Sequence, residues 1–431
     1  MWFTSQQLRV LFSRHSAPAV LGLLAAAIAF GQTPPAKSVL YAAVGPVLTQ
    51  YDLDREHATL TARGSVTLPA NVQEVAEHPT SRYLYVAWSD GGASFAAFNG
   101  VPRKGNRHGI TTFRIDSTTG ALSVDGNAAS LPSRPIYITT DVDGTHTVTA
   151  ENDPSGLTVH QILPDGTLGT IVQQPTGLDF GTYGHQVRVD PTNRSVLMPT
   201  RGNAPTATKP EDPGAIKVFA YRQGRLANRF SIAPNGGFGY QVRHLDFHPS
   251  GKWVFVTLEP QNQLQVYRRM ADGTLGTTPL FVKDTLADPK NVRPTQTAST
   301  IHVHPNGRFV YVANRAYGTV DDHGQQVFAG GENTIAVFAI DQQTGEPTLI
   351  QSIDTHGALP RTFSLDAAGQ FLVVANQTPI AVRDAEDVKQ IAAGLSLYRI
   401  REDGKLDFTR KYAVDTTADR VLFWAGFETL P

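Results

Sequence analysis

A chain of 431 residues with no cysteine can hold no disulfide, no thiolate metal centre and no cysteine nucleophile, so its stability rests on burial. Its 37 Lys and Arg nearly balance 38 Asp and Glu, and no basic block interrupts the sequence, which argues against nucleic acid or an anionic membrane surface as the main partner. The 38 glycines and 28 prolines, with almost no apolar stretch of helical period after the first turns of the chain, point to many short strands joined by turns.

The first element belongs to export rather than to the fold. Arg9, Arg14 and His15 precede the apolar run Ala17 to Phe30, and Ala29-Phe30-Gly31 has the small-x-small form of a cleavage site. The run is about 14 residues long, short of the roughly 20 that span a bilayer, and Pro18 interrupts its start. Residues 1–31 are therefore expected to be a signal peptide, leaving a periplasmic or secreted protein without a membrane span. Loss of Arg9 and Arg14 leaves 35 basic against 38 acidic residues.

From there the chain repeats itself. Glu77-His-Pro-Thr-Ser-Arg-Tyr-Leu-Tyr-Val-Ala87 is followed by weaker copies at Thr140-Asp-Val-Asp-Gly144 and Val189-Asp-Pro-Thr-Asn-Arg194. Three strong copies come next: Phe247-His-Pro-Ser-Gly-Lys-Trp-Val-Phe-Val-Thr257, Val303-His-Pro-Asn-Gly-Arg-Phe-Val-Tyr-Val-Ala313 and Leu365-Asp-Ala-Ala-Gly-Gln-Phe-Leu-Val-Val-Ala375. Their turn anchors, His78, Asp141, Asp190, His248, His304 and Asp366, fall 49 to 63 residues apart. A strand-turn-strand unit at that period reads as a propeller blade, four strands in about 40–50 residues plus longer loops. Third and fourth strands follow each copy, most clearly Thr334 to Asp341, the turn at Gly345, and Thr348 to Ile353. Val39 to Ala43 and Leu48 to Leu53 at one end, and Lys411 to Val414 with Val421 to Trp424 at the other, remain to complete a further blade. The expected fold is all-β: a single domain over residues 38–431, a seven-bladed β-propeller closed by pairing of the terminal strands, which removes exposed sheet edges.

The register then locates a site. Five residues before the anchors stand Gln73, Ile136, His185, Arg243, Ser299 and Arg361; eleven after them stand Ser89, Asn152, Arg201, Glu259, Arg315 and Gln377. In a hairpin turning at the anchor both sets lie at one end, so they converge on one mouth of the channel if the first strand lines it. Polar strand ends also arise simply to meet water, but four arginines and a histidine around one glutamate form a cationic concavity on a near-neutral protein. Guanidinium groups repel one another unless an anion or carboxylate intervenes, so an anionic or highly oxygenated small molecule is the expected partner. Strand alternation should turn His244 away from Arg243. His248, His302 and His304 are read as turn and packing residues.

Gln241-Val-Arg-His-Leu-Asp-Phe-His-Pro249 leading to Glu259, Ile301-His-Val-His-Pro-Asn-Gly to Asn314-Arg315, and Leu359-Pro-Arg-Thr-Phe363 followed by Val374-Ala-Asn-Gln377 resemble the propeller lactonase family. That family includes the propeller-type 6-phosphogluconolactonases and carboxymuconate-lactonizing enzyme. The resemblance is strongest over about residues 180–380. It implies His185, Arg243, Glu259 and Arg315 as catalytic residues, with Arg201, His244, Arg361 and Gln377 binding substrate. Departures from the pattern are Thr300, where an acidic residue is common, Tyr183 in place of a second histidine, and insertions at Asp90 to His108, Gly202 to Gly214 and Gly318 to Gly331, which should rim the site and set specificity.

The implied activity is metal-independent opening of a sugar-derived or carboxylated lactone, with Glu259 or His185 moving the proton and an arginine stabilising the oxyanion. No Gly-x-Ser-x-Gly motif and no metal-ligand spacing occurs, and no cofactor is expected. A monomer is expected. A non-catalytic binding or scaffold propeller, and a cycloisomerase or lyase of the carboxymuconate type, are the competing readings; saturated ion pairs on Glu259 together with no space for a ligand at the mouth would favour the former.

Overall fold

The computed structural model describes residues 38–91, 105–417 and 420–430; the leader and most of the Asp90–His108 insertion lie outside the described residues. Seven antiparallel sheets of four or five strands stand in a ring as the blades of a β-propeller. The first blade is built from both ends of the chain. Leu422–Thr429 is its innermost strand and pairs antiparallel with Ser38–Val44, followed outward by Val47–Asp54 and Thr59–Thr67. The expected closure is thus realised, although Lys411 to Ala413 ends the outer strand Leu406–Ala413 of the seventh blade, with Val414 just beyond it, rather than joining the closing pair. Two insertions form hairpins of their own, Thr319–Asp322 with Gln325–Phe328 and Ile380–Asp384 with Asp387–Ile391.

The apolar alternation of the repeats explains the packing. Both faces of a blade meet a neighbour, so the second and third strands are apolar on both faces. Phe255 and Val266 of the fifth blade pack on Ile301, Val310, Val312 and Phe338 of the sixth, all essentially buried. Each such side chain contributes about 1.5–3 kcal/mol relative to exposure. The anchors sew the blades together as expected of His248 and His304, whose Nε2 atoms meet the carbonyls of Gly307 and Gly369 at 2.7 and 2.9 Å in the next blade's turn. Those glycines have φ of +72° and +65°, and a Cβ there would press within 3.0 Å of the histidine ring, so the turn demands glycine twice over. His302 differs from its two partners: it reaches the channel wall, its ring edge-on to Phe363 at 5.0 Å.

The inner strands carry a feature that alternation does not anticipate. Every one is interrupted by a one-residue register shift, leaving Phe423, Gln73, Ile136, Arg243 and Arg361 as extra residues in the ladder. The sixth blade shifts between Ala298 and Ile301, around Ser299, and the fourth between Gly184 and Arg188, beside His185. A bulge re-aims side chains and increases local twist. The ring counted five residues before the anchors is therefore the bulge layer of the propeller.

Candidate active site

At the bulge layer the predicted residues converge from different blades. Glu259, just beyond the strand Trp253–Leu258, has one carboxylate oxygen on Arg201 Nη1 at 3.2 Å and the other in a short ion pair with Arg315 Nη2. Arg315 Nε also donates to Thr297 Oγ1 at 3.1 Å, and the Arg201 guanidinium lies over the Tyr183 ring, 4.4 Å from its centroid. Burial pushes the Glu259 carboxyl up, but Arg201, Arg315 and Arg243 outweigh it and hold the group ionised well below the usual carboxylate range.

Arg243 occupies the centre. It is wholly buried, and its Nη1 donates to His244 Nδ1 at 3.3 Å and Thr300 Oγ1 at 3.4 Å, while its Nε and Nη2 have no hydrogen-bond partner. Burial and the charges of Arg315, Arg361 and Arg201 bring its pKa well below the ordinary guanidinium value, despite Glu259. Arg361 stacks on Phe423 with Cζ 3.7 Å from the ring centroid; burial and Arg315 lower it to about 9. His185, from the fourth blade, is buried with its ring centroid 5.1 Å from that of His244, and its Nδ1 has no partner. Burial and then Arg243 drive both imidazoles well below their normal value, so both are neutral. An arginine can only donate, so His244 Nδ1 accepts and its proton sits on Nε2.

The expectation that His244 faces away from Arg243 is overturned. The bulge at Arg243 inserts one residue into the ladder, Val242 pairing with Leu258 and His244 with Thr257, which places consecutive side chains on one side. Gln377 is fully buried at the end of the strand Phe371–Thr378, in the same blade as Arg361, with neither amide atom hydrogen-bonded. It is the one member of the predicted set for which no contact with the cluster is found.

Arg134 joins this layer although it stands outside both counted rings. It is buried, its Nε donates to Gln73 Oε1 at 2.9 Å, and its Nη2 has no partner. The signal was available: seven residues before the anchors stand Arg134, Tyr183 and Thr297, all contributors to the layer. Among the described residues no group of three or more His, Asp or Glu side chains is arranged to hold a metal ion. The arrangement as a whole is a buried layer of five guanidinium groups around one ionised carboxylate, with a neutral imidazole beside unpaired donors. Such a layer stabilises charge that develops on an oxygen atom.

Residues 40–384 match the family model described as lactonase, 7-bladed beta-propeller. A 6-phosphogluconolactonase of Pectobacterium carotovorum is 29% identical over 320 residues, 74% of this chain and 81% of that protein. The Bacillus subtilis 6-phosphogluconolactonase is 25% identical over 331 residues, covering 76% and 83%. Among solved structures, the Pseudomonas aeruginosa periplasmic gluconolactonase superposes with a TM-score of 0.68 at 20% identity, over 91% of this chain and 99% of that one.

Proposed function

Because the chain belongs to the seven-bladed β-propeller lactonase family, we propose that it opens the ring of a sugar-derived lactone by adding water to the carbonyl. The observation that carries the reading is Arg243: a buried guanidinium, crowded by like charges, whose Nε and Nη2 have no partner in the protein. A buried charge held at such cost is explained by an oxyanion that it meets during the reaction.

In this mechanism His185 Nδ1 takes a proton from water as the oxygen attacks the carbonyl carbon, and the negative charge on the carbonyl oxygen falls to Arg243. Collapse of the tetrahedral intermediate breaks the ring C–O bond, and the departing alkoxide recovers the proton from the imidazolium. The product is a hydroxy acid whose carboxylate faces the guanidinium layer. Lactones are activated esters, so a general base, contributing about 10²–10⁴-fold, together with the cationic layer suffices.

Glu259 has another task. Both its oxygens are engaged by Arg315 and Arg201, and it is too acidic to accept a proton near neutrality, so it positions the two arginines. Saturation of Glu259 is also what a non-catalytic propeller would display, and this observation keeps that second reading alive. The leader pattern of residues 1–31 supports an activity outside the cytoplasm.

The test is ring opening by the purified protein on a panel of aldonolactones, phosphorylated and not, corrected for spontaneous hydrolysis. Acceleration with the hydroxy acid as sole product is the expected result. No acceleration of any lactone would leave the non-catalytic propeller, and an isomerised or unsaturated product would point to lyase chemistry.

A further inference from the structure

Behind the bulge layer the channel holds a cavity of about 150 Å³ that the proton transfers above do not use. A cavity of about that volume takes a single six-membered ring. Each blade contributes to its wall the residue that follows its bulge: Glu74, Tyr137, Gln186, Thr300, Thr362 and Trp424, with His244 completing the circle.

The chemistry of this wall differs from that of the layer above it. It offers a carboxyl, a phenol, an amide, two hydroxyls and a neutral imidazole, with an indole for the face of a ring; none of the seven is a guanidinium or an amine. Thr362 Oγ1 is buried without a partner although the residue lines the cavity. Farther along the channel the wall continues with Ser364 and Glu428, whose carboxyl hydrogen-bonds that of Glu77. Burial raises the Glu74 carboxyl to about 7, and burial with Glu77 holds Glu428 well above its ordinary value, so these acids serve as hydrogen-bond partners; a phosphate or carboxylate on a ligand would find no Lys or Arg in this wall to offset its desolvation, whereas hydroxyl groups find donors and acceptors. The cavity also touches the chemistry, because Arg243 Nη1 contacts both His244 and Thr300, two of its lining residues.

We infer that this cavity is a sugar-ring subsite for an uncharged, polyhydroxylated lactone, and that Glu74, Thr362 and Trp424 select such a ring over phosphorylated or hydroxyl-poor lactones. The inference rests on the lactone-opening reading for its kinetic consequences but not for its binding consequence. The arginine layer then serves the oxyanion and the product carboxylate, not a substrate phosphate.

The experiment compares glucono-1,5-lactone, its 6-phosphate and δ-valerolactone as substrates of the wild type, Glu74→Gln and Thr362→Val, with calorimetric binding of gluconolactam alongside. The wild type should prefer the neutral sugar lactone over its phosphate by about tenfold or more in kcat/KM. Each substitution should raise KM for gluconolactone about tenfold, the scale of one lost buried hydrogen bond, and weaken lactam binding equally while δ-valerolactone constants stay within about twofold. Thr362→Val keeps the side-chain shape, so an unchanged melting temperature secures the comparison if Glu74→Gln folds poorly. Preference for the phosphate, equal losses on δ-valerolactone, or unaltered lactam binding would each overturn the inference. Should no lactone be opened, the functional reading falls by itself: lactam binding that Glu74→Gln or Thr362→Val weakens would still support the subsite, and absence of lactam binding would remove it.

Discussion

Replacing Glu259 with Gln is expected to lower folding stability at pH 7 by about 3–5 kcal/mol, the usual cost of removing one partner from a buried ion pair. The physical reason is the company it keeps. Arg315 is nearly inaccessible, Arg201 is half-buried and Arg243 lies wholly inside, so without the carboxylate three guanidinium groups repel one another at low dielectric. The sign of the pH dependence follows from a carboxyl held below its ordinary value. Its stabilisation is fully present above the unfolded pKa and is lost as the pH falls through the lowered folded value, so wild type and variant should converge in acid. Ring opening should fall about 100-fold as well, because the arginines move from their positions. Denaturant unfolding at pH 7 measures the first effect, and the same measurement at successively lower pH, starting below the unfolded carboxyl value of about 4.3, follows the convergence. Equal stability of the two proteins at pH 7 would mean that Glu259 does not hold the layer together.

Substituting His185 with Gln should reduce kcat by about 10²–10⁴-fold, the contribution of a general base, with little change in melting temperature. The wild-type profile carries the sharper signature. Burial and Arg243 keep the imidazole neutral well below its ordinary value, and the neutral form is the base in the proposed mechanism. Rates corrected for spontaneous opening should therefore stay level as the pH falls to about 6.5 and drop only below it. An acid limb at or above pH 6.5 would assign the base to another group.

The fold was legible because a propeller repeats its grammar. His78, His248 and His304 mark equivalent turns, and counting from them located Arg201, Arg243, Glu259, Arg315 and Arg361 at one level. What counting could not show was the bulge in every inner strand. A ladder interruption has no residue signature when the extra position is Gln in one blade, Ile in the next and Arg in two others. That is why alternation puts His244 on the wrong face and why Arg134, two positions before the residue counted and just ahead of the strand Pro135–Thr140, falls outside both counted rings. The outermost strand of the closing blade, Thr59–Thr67, went unassigned for a different reason: it is largely solvent-exposed and polar, without the apolar alternation that marks its neighbours. The division of labour proposed for Glu259 and His185 also lay beyond sequence, since it depends on which oxygens are already paired.

In the proposed mechanism Arg243 is kept buried and crowded for the sake of an oxyanion, at the expense of stability. Arg243→Met separates the two directly, because Met retains an unbranched chain of similar reach without the charge. Unfolding and lactone ring opening measured on the same preparation should give a variant as stable as the wild type or more stable by about 1–4 kcal/mol, yet slower by about 10²–10³-fold. A variant that opens lactones at the wild-type rate, or that loses stability in proportion to its activity, would contradict the claim and make Arg243 a structural residue.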